Sequence, residues 1–433
     1  GGYVNMDGKI KKVPPHPMPK IQRFIDKFKQ VFRSTATLHS AERYFTGLLS
    51  DIPYKNCGMI AEHVEGTDIQ ALQQFISSAS TWDFDKLNTQ RVAHMLDNAK
   101  DEDGVLIFDD TGFPKKGTCS VGVSRQYSGT LGKIGNCQIA VSCQYADTRY
   151  TWPVNTRLYL PESWTSDQKR LDYAKVPKDV GFKTKTQIAL DLLDQANAMG
   201  VRHKAVVADT FYGSDTTFLE GLESRGETYA VAVRCDFTVR FQQDIKMFVP
   251  EVKPKGRGRP RVKPEPVKQP SQYRVDSLVD KIPKSHFKVI AWRDGTKGQL
   301  KKQFAFLRVR WSTKTKTGSL GWLVLERPVS GDTGDTKYYF SNLPEGTPEV
   351  KIVEYLHRRH LIERFYQDAK DELGLDQYEG RSWNGFHKHV GMVMLAYSWL
   401  VLQRKLQDCL YKQYEIVVDL PSTATPSFTL REL

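Results

Sequence analysis

The chain has 433 residues, of which 26% are charged and 39% hydrophobic, which is typical of a water-soluble protein with room for two or three domains. It carries 63 Lys and Arg against 50 Asp and Glu, and the net charge of +13 favours a polyanionic partner such as nucleic acid. The sequence has no apolar run of about 18 residues, no apolar signal-peptide core at its N-terminus and no C-x-x-C pair among its six cysteines. These patterns argue against a membrane span, export and a structural zinc site, so we expect an intracellular protein with reduced thiols.

The N-terminal part of the chain reads as helical. Residues 1–18 are rich in Pro and Lys, and we expect a disordered arm there. Between residues 19 and 100, apolar residues recur at three- and four-residue spacings in five segments, and Asp68 is placed as an N-cap. We therefore predict a domain of four or five short helices over 19–100, either for DNA binding or for packing alone.

Two aspartates follow the first apolar strand. Residues 105–108 form a continuous apolar run that meets Asp109-Asp110, and the following Gly-Phe-Pro is expected to close the strand. Two further strands complete a predicted three-stranded meander before residue 160. A carboxylate beside a buried strand is costly without a partner such as a metal ion, so these aspartates are candidate ligands.

The same design returns later in the chain. A helix that ends at Gly200 leads into the apolar strand 205–208, which is followed directly by Asp209. A second helix and a second strand come next, and this alternation is typical of α/β folds. We assign residues 101–248 to the first part of a catalytic core.

Residues 249–272 are a basic, Pro-rich linker. Within it, Gly-Arg-Gly-Arg-Pro-Arg at 256–261 resembles an AT-hook, which inserts arginines into the narrow minor groove of A·T-rich DNA. On that interpretation Arg257, Arg259 and Arg261 contact DNA; the alternative is a solvated linker.

Residues 273–345 then alternate in the manner of strands and form a β-rich insertion. Its Trp292, Trp311 and Trp322 are interpreted as core residues, with stacking on a DNA base as the alternative.

The stretch Lys351–Lys388 reads as one amphipathic helix with Gly374 at its C-cap. Helical spacing puts Arg359, Glu363 and Lys370 on one stripe beside an apolar stripe. A second apolar helix follows, so that 346–412 forms the second part of the core, and 413–433 reads as a disordered tail. His357 and His360 are interpreted as phosphate contacts or packing residues.

Three acidic residues form a constellation in this arrangement. Asp110 and Asp209 follow buried strands, and Glu363 lies on a helix after the insertion. Three such carboxylates suit two Mg²⁺ ions about 4 Å apart, and Mn²⁺ substitutes well at oxygen ligands. A two-metal site of this kind supports phosphodiester chemistry.

Several motifs carry a family resemblance. They are FDDTGFPKKG at 108–117, SVGVSRQYSGTLGKIGNCQIAVS at 120–142, LPESW at 160–164, ADTFYG at 208–213 and IERFYQDAKDELGLDQYEGRSW at 362–383. With them the chain resembles the DDE transposases of bacterial insertion sequences, in the branch with a Tyr-Arg-Glu-Lys signature. The resemblance implies an α/β protein with an RNase H-like catalytic core interrupted by the β-rich insertion and preceded by an all-α N-terminal domain.

The resemblance also implies roles for individual residues. Asp110, Asp209 and Glu363 match the catalytic, metal-binding triad, and Asp109 remains the alternative to Asp110. Arg359 and Lys370 match the residues that hold the phosphates beside the scissile bond. Tyr355 lies one residue too far from Arg359 for the signature, and Arg358 would restore that spacing only by breaking the next one. The further DNA-binding candidates are Lys115, Lys116, Arg125, Arg381 and Lys388. His387 and His389 are interpreted, like His357 and His360, as phosphate contacts that face DNA beside Arg381 and Lys388 or as packing residues.

The implied function is cut-and-paste DNA transposition. The protein is expected to bind the terminal inverted repeats of its element as double-stranded DNA, cleave them with two Mg²⁺ ions and join the 3′-hydroxyls to target DNA. A homodimer that pairs two ends, working in the bacterial cytoplasm at the nucleoid without any membrane partner, fits this activity. The alternatives are a transposase-derived DNA-binding protein that does not cleave and an RNase H-like nuclease that hydrolyses without joining strands.

Overall fold

The computed structural model describes residues 19–129, 132–242, 247–248, 265–266, 271–295 and 298–415. The expected arm at 1–18, the AT-hook-like segment and the tail beyond residue 415 lie outside the described residues. The chain divides into two compact units, the first comprising 1–203 with 360–433 and the second comprising 204–359.

The N-terminal region of the first unit is helical, as predicted. The side chain of Asp68 accepts a hydrogen bond from the Ala71 N–H at 2.9 Å, which confirms the predicted N-cap. The helices are α1 (Pro19–Ile25), α2 (Lys29–Phe32), α3 (Thr35–Leu49), α4 (Cys57–His63), α5 (Ile69–Ile76) and α6 (Phe84–Asn98). A 3₁₀ turn (Asp26–Phe28) joins the first two.

The strands of the first unit form an antiparallel arrangement around one long strand. They are β1 (Val105–Pro114), β2 (Ser124–Ser128), β3 (Lys133–Ala146) and β4 (Thr151–Tyr159). β3 pairs with each of the other three, so the β1, β3, β4 meander is confirmed and β2 is an additional strand. β1 closes at Gly-Phe-Pro, as expected, but the two aspartates lie within the strand and do not follow it. Asp109 pairs with Ser142 and Asp110 with Val141, because the backbone ladder continues through both residues to Pro114.

A buried arginine connects the N-terminal helices to this sheet. Arg91 of α6 donates to the main-chain oxygens of Pro153 and Val154 in β4 at 2.7 and 2.9 Å, and to the Ser398 hydroxyl at 3.0 Å. Burial lowers the pKa of Arg91 to about 9. These bonds satisfy most of a guanidinium that has no access to water.

Five further helices belong to the first unit, and two of them, α9 and α13, contact β1 through lysine side chains. The five are α7 (Glu162–Thr165), α8 (Gln168–Tyr173), α9 (Lys185–Ala198), α13 (His360–Asp371) and α14 (Trp383–Glu415); the numbers α10 to α12 belong to helices of the second unit. Gly200 has a φ of +77° just after α9, as expected of a residue that ends a helix.

The second unit contains the β-rich insertion. β5 (Ala205–Ala208) pairs in parallel with β6 (Tyr229–Val233), and the sheet continues through antiparallel pairs in the order β6, β14, β13, β12, β7, β10, with β11 also pairing with β12. The later strands are β7 (Thr238–Phe241), β10 (Tyr273–Arg274), β11 (Lys288–Gly295), β12 (Gly298–Ser312), β13 (Thr317–Arg327) and β14 (Lys337–Ser341). A separate short pair is β8 (Met247–Phe248) with β9 (Glu265–Pro266), and the helices are α10 (Thr210–Gly213), α11 (Thr216–Ser224) and α12 (Glu349–His357).

The predicted single helix from Lys351 to Lys388 was wrong. α12 ends at His357, Arg358 and Arg359 form a turn, and α13 begins at His360. Neither Gly nor Pro lies at this break, and the apolar periodicity continues across it. The sequence therefore gives no indication that the helix ends there. Arg359 therefore does not share a helical stripe with Glu363.

The α/β class with a helical N-terminal region and a β-rich insertion is confirmed, in agreement with an RNase H-like core. In the part of the chain that the structure describes, none of the helices has the length and apolar character required to cross a membrane.

Candidate active site

The two aspartates of β1 face opposite sides of their strand. Asp110 meets Lys185 of α9, whereas the hydroxyl of Thr111 accepts a hydrogen bond from Lys370 of α13. Successive strand residues alternate sides, so Asp109 shares the α13 side with Thr111. The Asp109 carboxylate also accepts a hydrogen bond from the Asp110 N–H at 2.8 Å. The choice between the two aspartates is thus a choice between two sides of β1.

Asp110 forms an ion pair with Lys185. The Lys185 Nζ lies 3.2 Å from Asp110 Oδ2, and the two side chains are only 17% and 12% exposed. Lys185 is the first residue of α9, whose start is fixed by a capping box between Thr184 and Gln187. α9 packs on β3 and β4, which holds its first turn beside β1. The sequence predicted this helix but not the contact of its first lysine.

α13 is attached to β1 through the side that carries Glu363. The Tyr366 hydroxyl donates to the Asp109 main-chain oxygen at 3.1 Å. The Lys370 Nζ donates to the Thr111 hydroxyl at 2.8 Å and to the Gly112 oxygen at 2.9 Å. Glu363 precedes these residues by one and two turns on the same side of the helix, and its own side chain is exposed. A carboxylate is therefore held beside a strand that carries two others.

Lys370 lies in a half-buried position between helix and strand. Desolvation by burial lowers its pKa, and Asp376 and Asp371 partly offset this. Its two hydrogen bonds to β1 connect α13 to the strand, a structural role in addition to the phosphate contact predicted from the sequence.

The end of α13 confirms the predicted C-cap. Gly374 has a φ of +67° just past the helix, and the next N–H, that of Leu375, donates back to the Ala369 oxygen of α13 at 2.9 Å. A residue with a Cβ would be strained in this left-handed conformation.

In the second unit, Asp209 directly follows β5 and caps α10. Its carboxylate accepts hydrogen bonds from the N–H groups of Phe211 and Tyr212 at 2.9 and 3.2 Å. Gly213 then lies against β6, where a Cβ would come within 2.1 Å of the Ala232 oxygen. This close packing explains why the ADTFYG motif ends in glycine.

Tyr355 is a buried residue of α12. The guanidinium of Arg358 and the ammonium of Lys351 lie 5.1 and 5.5 Å from the centre of its ring. His357, on the same helix, stacks on Trp292 with ring centres 3.9 Å apart and pairs with Glu326 at 2.9 Å. These contacts give His357 a packing role, one of the two that were expected.

The other two tryptophans of the insertion also pack against protein groups. Trp311 is buried and donates to Glu223 at 2.7 Å. Trp322 is half-buried, with the guanidinium of Arg308 4.6 Å from its ring centre.

Three residues near the start of α14 that were candidates for DNA contact lie in the interior. Lys388 is 2% exposed and donates to the main-chain oxygens of Ser77 and Ser80 at 2.8 Å each. Burial lowers the pKa of Lys388 to about 8. His387 and His389 are also buried, and desolvation lowers the pKa of each, that of His389 to about 4. The apolar sequence around them packs them inward, so the expected DNA-facing position of Lys388 was wrong, and of the two interpretations of the histidines the structure supports packing.

The remaining cationic candidates of the first unit differ in exposure. Lys115 is half-buried and donates to the Tyr378 oxygen at 2.6 Å, and burial lowers its pKa. Lys116, Arg125 and Arg381 are exposed, and Arg381 donates to the Tyr173 hydroxyl at 2.9 Å. Three of these four predicted contacts thus lie at the surface.

Comparison with known families places this geometry in context. The sequence profile of the DDE superfamily endonuclease family matches residues 27–299, which include Asp110 and Asp209. The chain belongs to this family. A relative named as a probable transposase for insertion sequence element IS701, from Microchaete diplosiphon, is 25% identical over 374 residues, which cover 84% of each chain. The resemblance to insertion-sequence DDE transposases is confirmed.

DDE endonucleases are expected to use divalent metal ions, and the side chains present suit such ions chemically. Asp109, Asp110 and Glu363 in the first unit and Asp209 in the second supply only hard carboxylate oxygens, which Mg²⁺ and Mn²⁺ prefer. Within the described residues of either unit, no three His, Cys, Asp or Glu side chains converge into a ready-made metal site.

Proposed function

We propose that this DDE endonuclease is a DNA transposase that cleaves the ends of its insertion sequence and joins the resulting 3′-hydroxyls to target DNA. The observation that carries the proposal is the attachment of α13 to β1. It holds Glu363 beside the strand that bears Asp109 and Asp110, in a chain whose family match includes Asp209. The transposase named among its relatives supports the same function.

In this proposal Asp209, Glu363 and one of the two β1 aspartates would hold two Mg²⁺ ions; the family motif favours Asp110, whereas Asp109 is the one on the α13 side with Glu363. Such ions activate the attacking oxygen and stabilise the leaving oxygen of a phosphodiester. The contribution of the chain is to position the carboxylates, and Lys370 does this for Glu363 by binding the helix to Thr111 and Gly112. Arg359 and the exposed Lys116, Arg125 and Arg381 are proposed to contact DNA phosphates.

The partners follow from the same activity. The proposed DNA ligands are the terminal inverted repeats and the target duplex, with 19–100 as the helical DNA-binding domain and Arg257, Arg259 and Arg261 as minor-groove contacts. The proposed working form is a homodimer that pairs two ends in the bacterial cytoplasm at the nucleoid. The core is proposed to comprise 101–248 and 346–412, separated by the linker 249–272 and the insertion 273–345.

A strand-transfer assay tests this function. Pre-cut terminal-repeat DNA is incubated with the full chain, supercoiled target plasmid and Mg²⁺, and joined products are resolved on a gel. We expect joined DNA with the unmodified chain and none with Glu363→Ala, which should still shift terminal-repeat DNA because the phosphate contacts remain. Lys169→Ala serves as the control, since Lys169 lies on the short helix α8 and carries none of the proposed roles.

Each contrary outcome has a distinct meaning. Cleaved DNA without joined products would identify a hydrolytic nuclease, and end binding without any nicking would identify a DNA-binding derivative. Normal joining by Glu363→Ala would show that another carboxylate does the work.

A further inference from the structure

Lys185 has no role in the family signature, but it forms an ion pair with Asp110. Its Nζ lies 3.2 Å from Asp110 Oδ2, and both side chains are largely shielded from water. An ion pair with this shielding is screened less than a surface pair. The bond therefore contributes to where the Asp110 carboxylate points.

The position of Lys185 is imposed by the fold. The capping box of Thr184 and Gln187 fixes the first turn of α9, and α9 is packed on β3 and β4. The lysine stem leaves the helix at its first residue, so the ammonium reaches β1 without any distortion of the helix. Nearby Lys183 makes a different contact, an exposed pair with Asp191 at 2.5 Å.

An ammonium and a divalent cation compete for the same carboxylate. A metal ion held by Asp110 would bring a second positive charge next to the ammonium, and the two like charges would repel each other. Lysine carries a compact charge on a flexible four-carbon stem, so it can leave Oδ2 while the helix stays in place.

We propose that Lys185 is a built-in counter-ion of Asp110 that opposes divalent cation binding and is displaced when the cation arrives. This inference rests on the proposed function, because it takes Asp110 as a metal ligand. Lys185 is a positioning residue: it holds the carboxylate in a defined orientation, and it raises the metal concentration needed to half-fill the site.

The test is a calorimetric titration of the full chain with Mg²⁺ alone and, for signal, with Mn²⁺ alone. Lys185→Met should bind either ion about tenfold more tightly, since like-charge neighbours shift such equilibria by about one log unit or more. Lys185→Arg should bind as the unmodified chain does, because it keeps the charge. Lys183→Met is the matched control and should also be unchanged. Structural damage to the site would weaken metal binding, so tighter binding reports removal of the competing charge.

Thermal unfolding provides the second measurement. Lys185→Met should melt lower than the unmodified chain in chelator, because the Asp110 carboxylate loses the ion pair with Lys185, and should gain more from added Mg²⁺. Equal or weaker metal affinity in a folded Lys185→Met, with Asp110→Asn unable to bind, would overturn the role of Lys185 and leave the metal site intact. Unchanged affinity in Asp110→Asn would instead overturn the choice of Asp110, and this inference with it, while the transposase proposal would then pass to Asp109.

Discussion

The neutral state of His389 makes stability depend on pH. His389 is fully buried in α14, and its Nε2 lies 2.9 Å from the Gly374 oxygen, which can only accept. Nε2 therefore carries the proton, and Nδ1 accepts from the Tyr44 hydroxyl at 2.7 Å. A second proton has to go to Nδ1, where it would remove the bond from Tyr44.

The magnitude follows from the pKa. Desolvation by burial lowers the pKa of His389 from 6.5 to about 4. Between these two values the unfolded chain binds a proton that the folded chain does not, so stability falls as the pH falls. The contribution is fully present above about pH 7, and roughly 2 kcal/mol of it is lost at pH 5.

The assay is urea unfolding followed by tryptophan fluorescence at pH 7.5 and at pH 5.0. His389→Gln cannot titrate in this range, so its loss of unfolding free energy between the two pH values should be about 2 kcal/mol smaller than that of the unmodified chain. His39→Gln, at an exposed position, should retain the full pH dependence. A His389→Gln variant with the same pH dependence as the unmodified chain would refute the reasoning.

Three further predictions concern contacts described above. Arg91→Ala should cost about 3–5 kcal/mol in urea unfolding, because it leaves carbonyl oxygens buried without donors, whereas Arg91→Met should cost less by filling the space; equal losses would show that the lost hydrogen bonds alone matter and that filling the space contributes nothing. Lys370→Ala should reduce nicking of supercoiled plasmid more than it reduces binding in a gel shift, and the reverse order would make it a DNA contact first. Replacing Arg257 and Arg259 with Ala should flatten the salt dependence of DNA affinity by about two in log–log slope. An unchanged slope there would leave the linker without a phosphate role.

The sequence predicted helix caps and helix ends correctly where the residue concerned acts on its own segment of the chain. Asp68 caps its helix and Gly374 ends its helix because both act on main-chain groups within a few residues. The apolar runs at 105–108 and 205–208 were also predicted as strands, because a short, continuous apolar segment is typical of a buried strand.

Long-range placement was less readable. Lys388 looks like a surface charge in sequence, but it donates to two carbonyls more than 300 residues away. The break at Arg358 and Arg359 has no helix-breaking residue to mark it, and the pairing of Lys185 with Asp110 joins an α9 residue to a strand 75 residues earlier. No local pattern encodes these meetings, because they depend on how separate elements pack.

The contact of Gly213 with β6 has a consequence for mutational surveys. Because the Ala232 oxygen occupies the space that a Cβ would need, even alanine at position 213 has to push α10 away from the sheet. In a library selected for function, position 213 would be as intolerant as a catalytic residue although glycine has no reactive group. Intolerance at the end of the ADTFYG motif would thus reflect the close packing of α10 on β6, which positions Asp209 at the start of that helix. It would not be evidence that position 213 takes part in the chemistry.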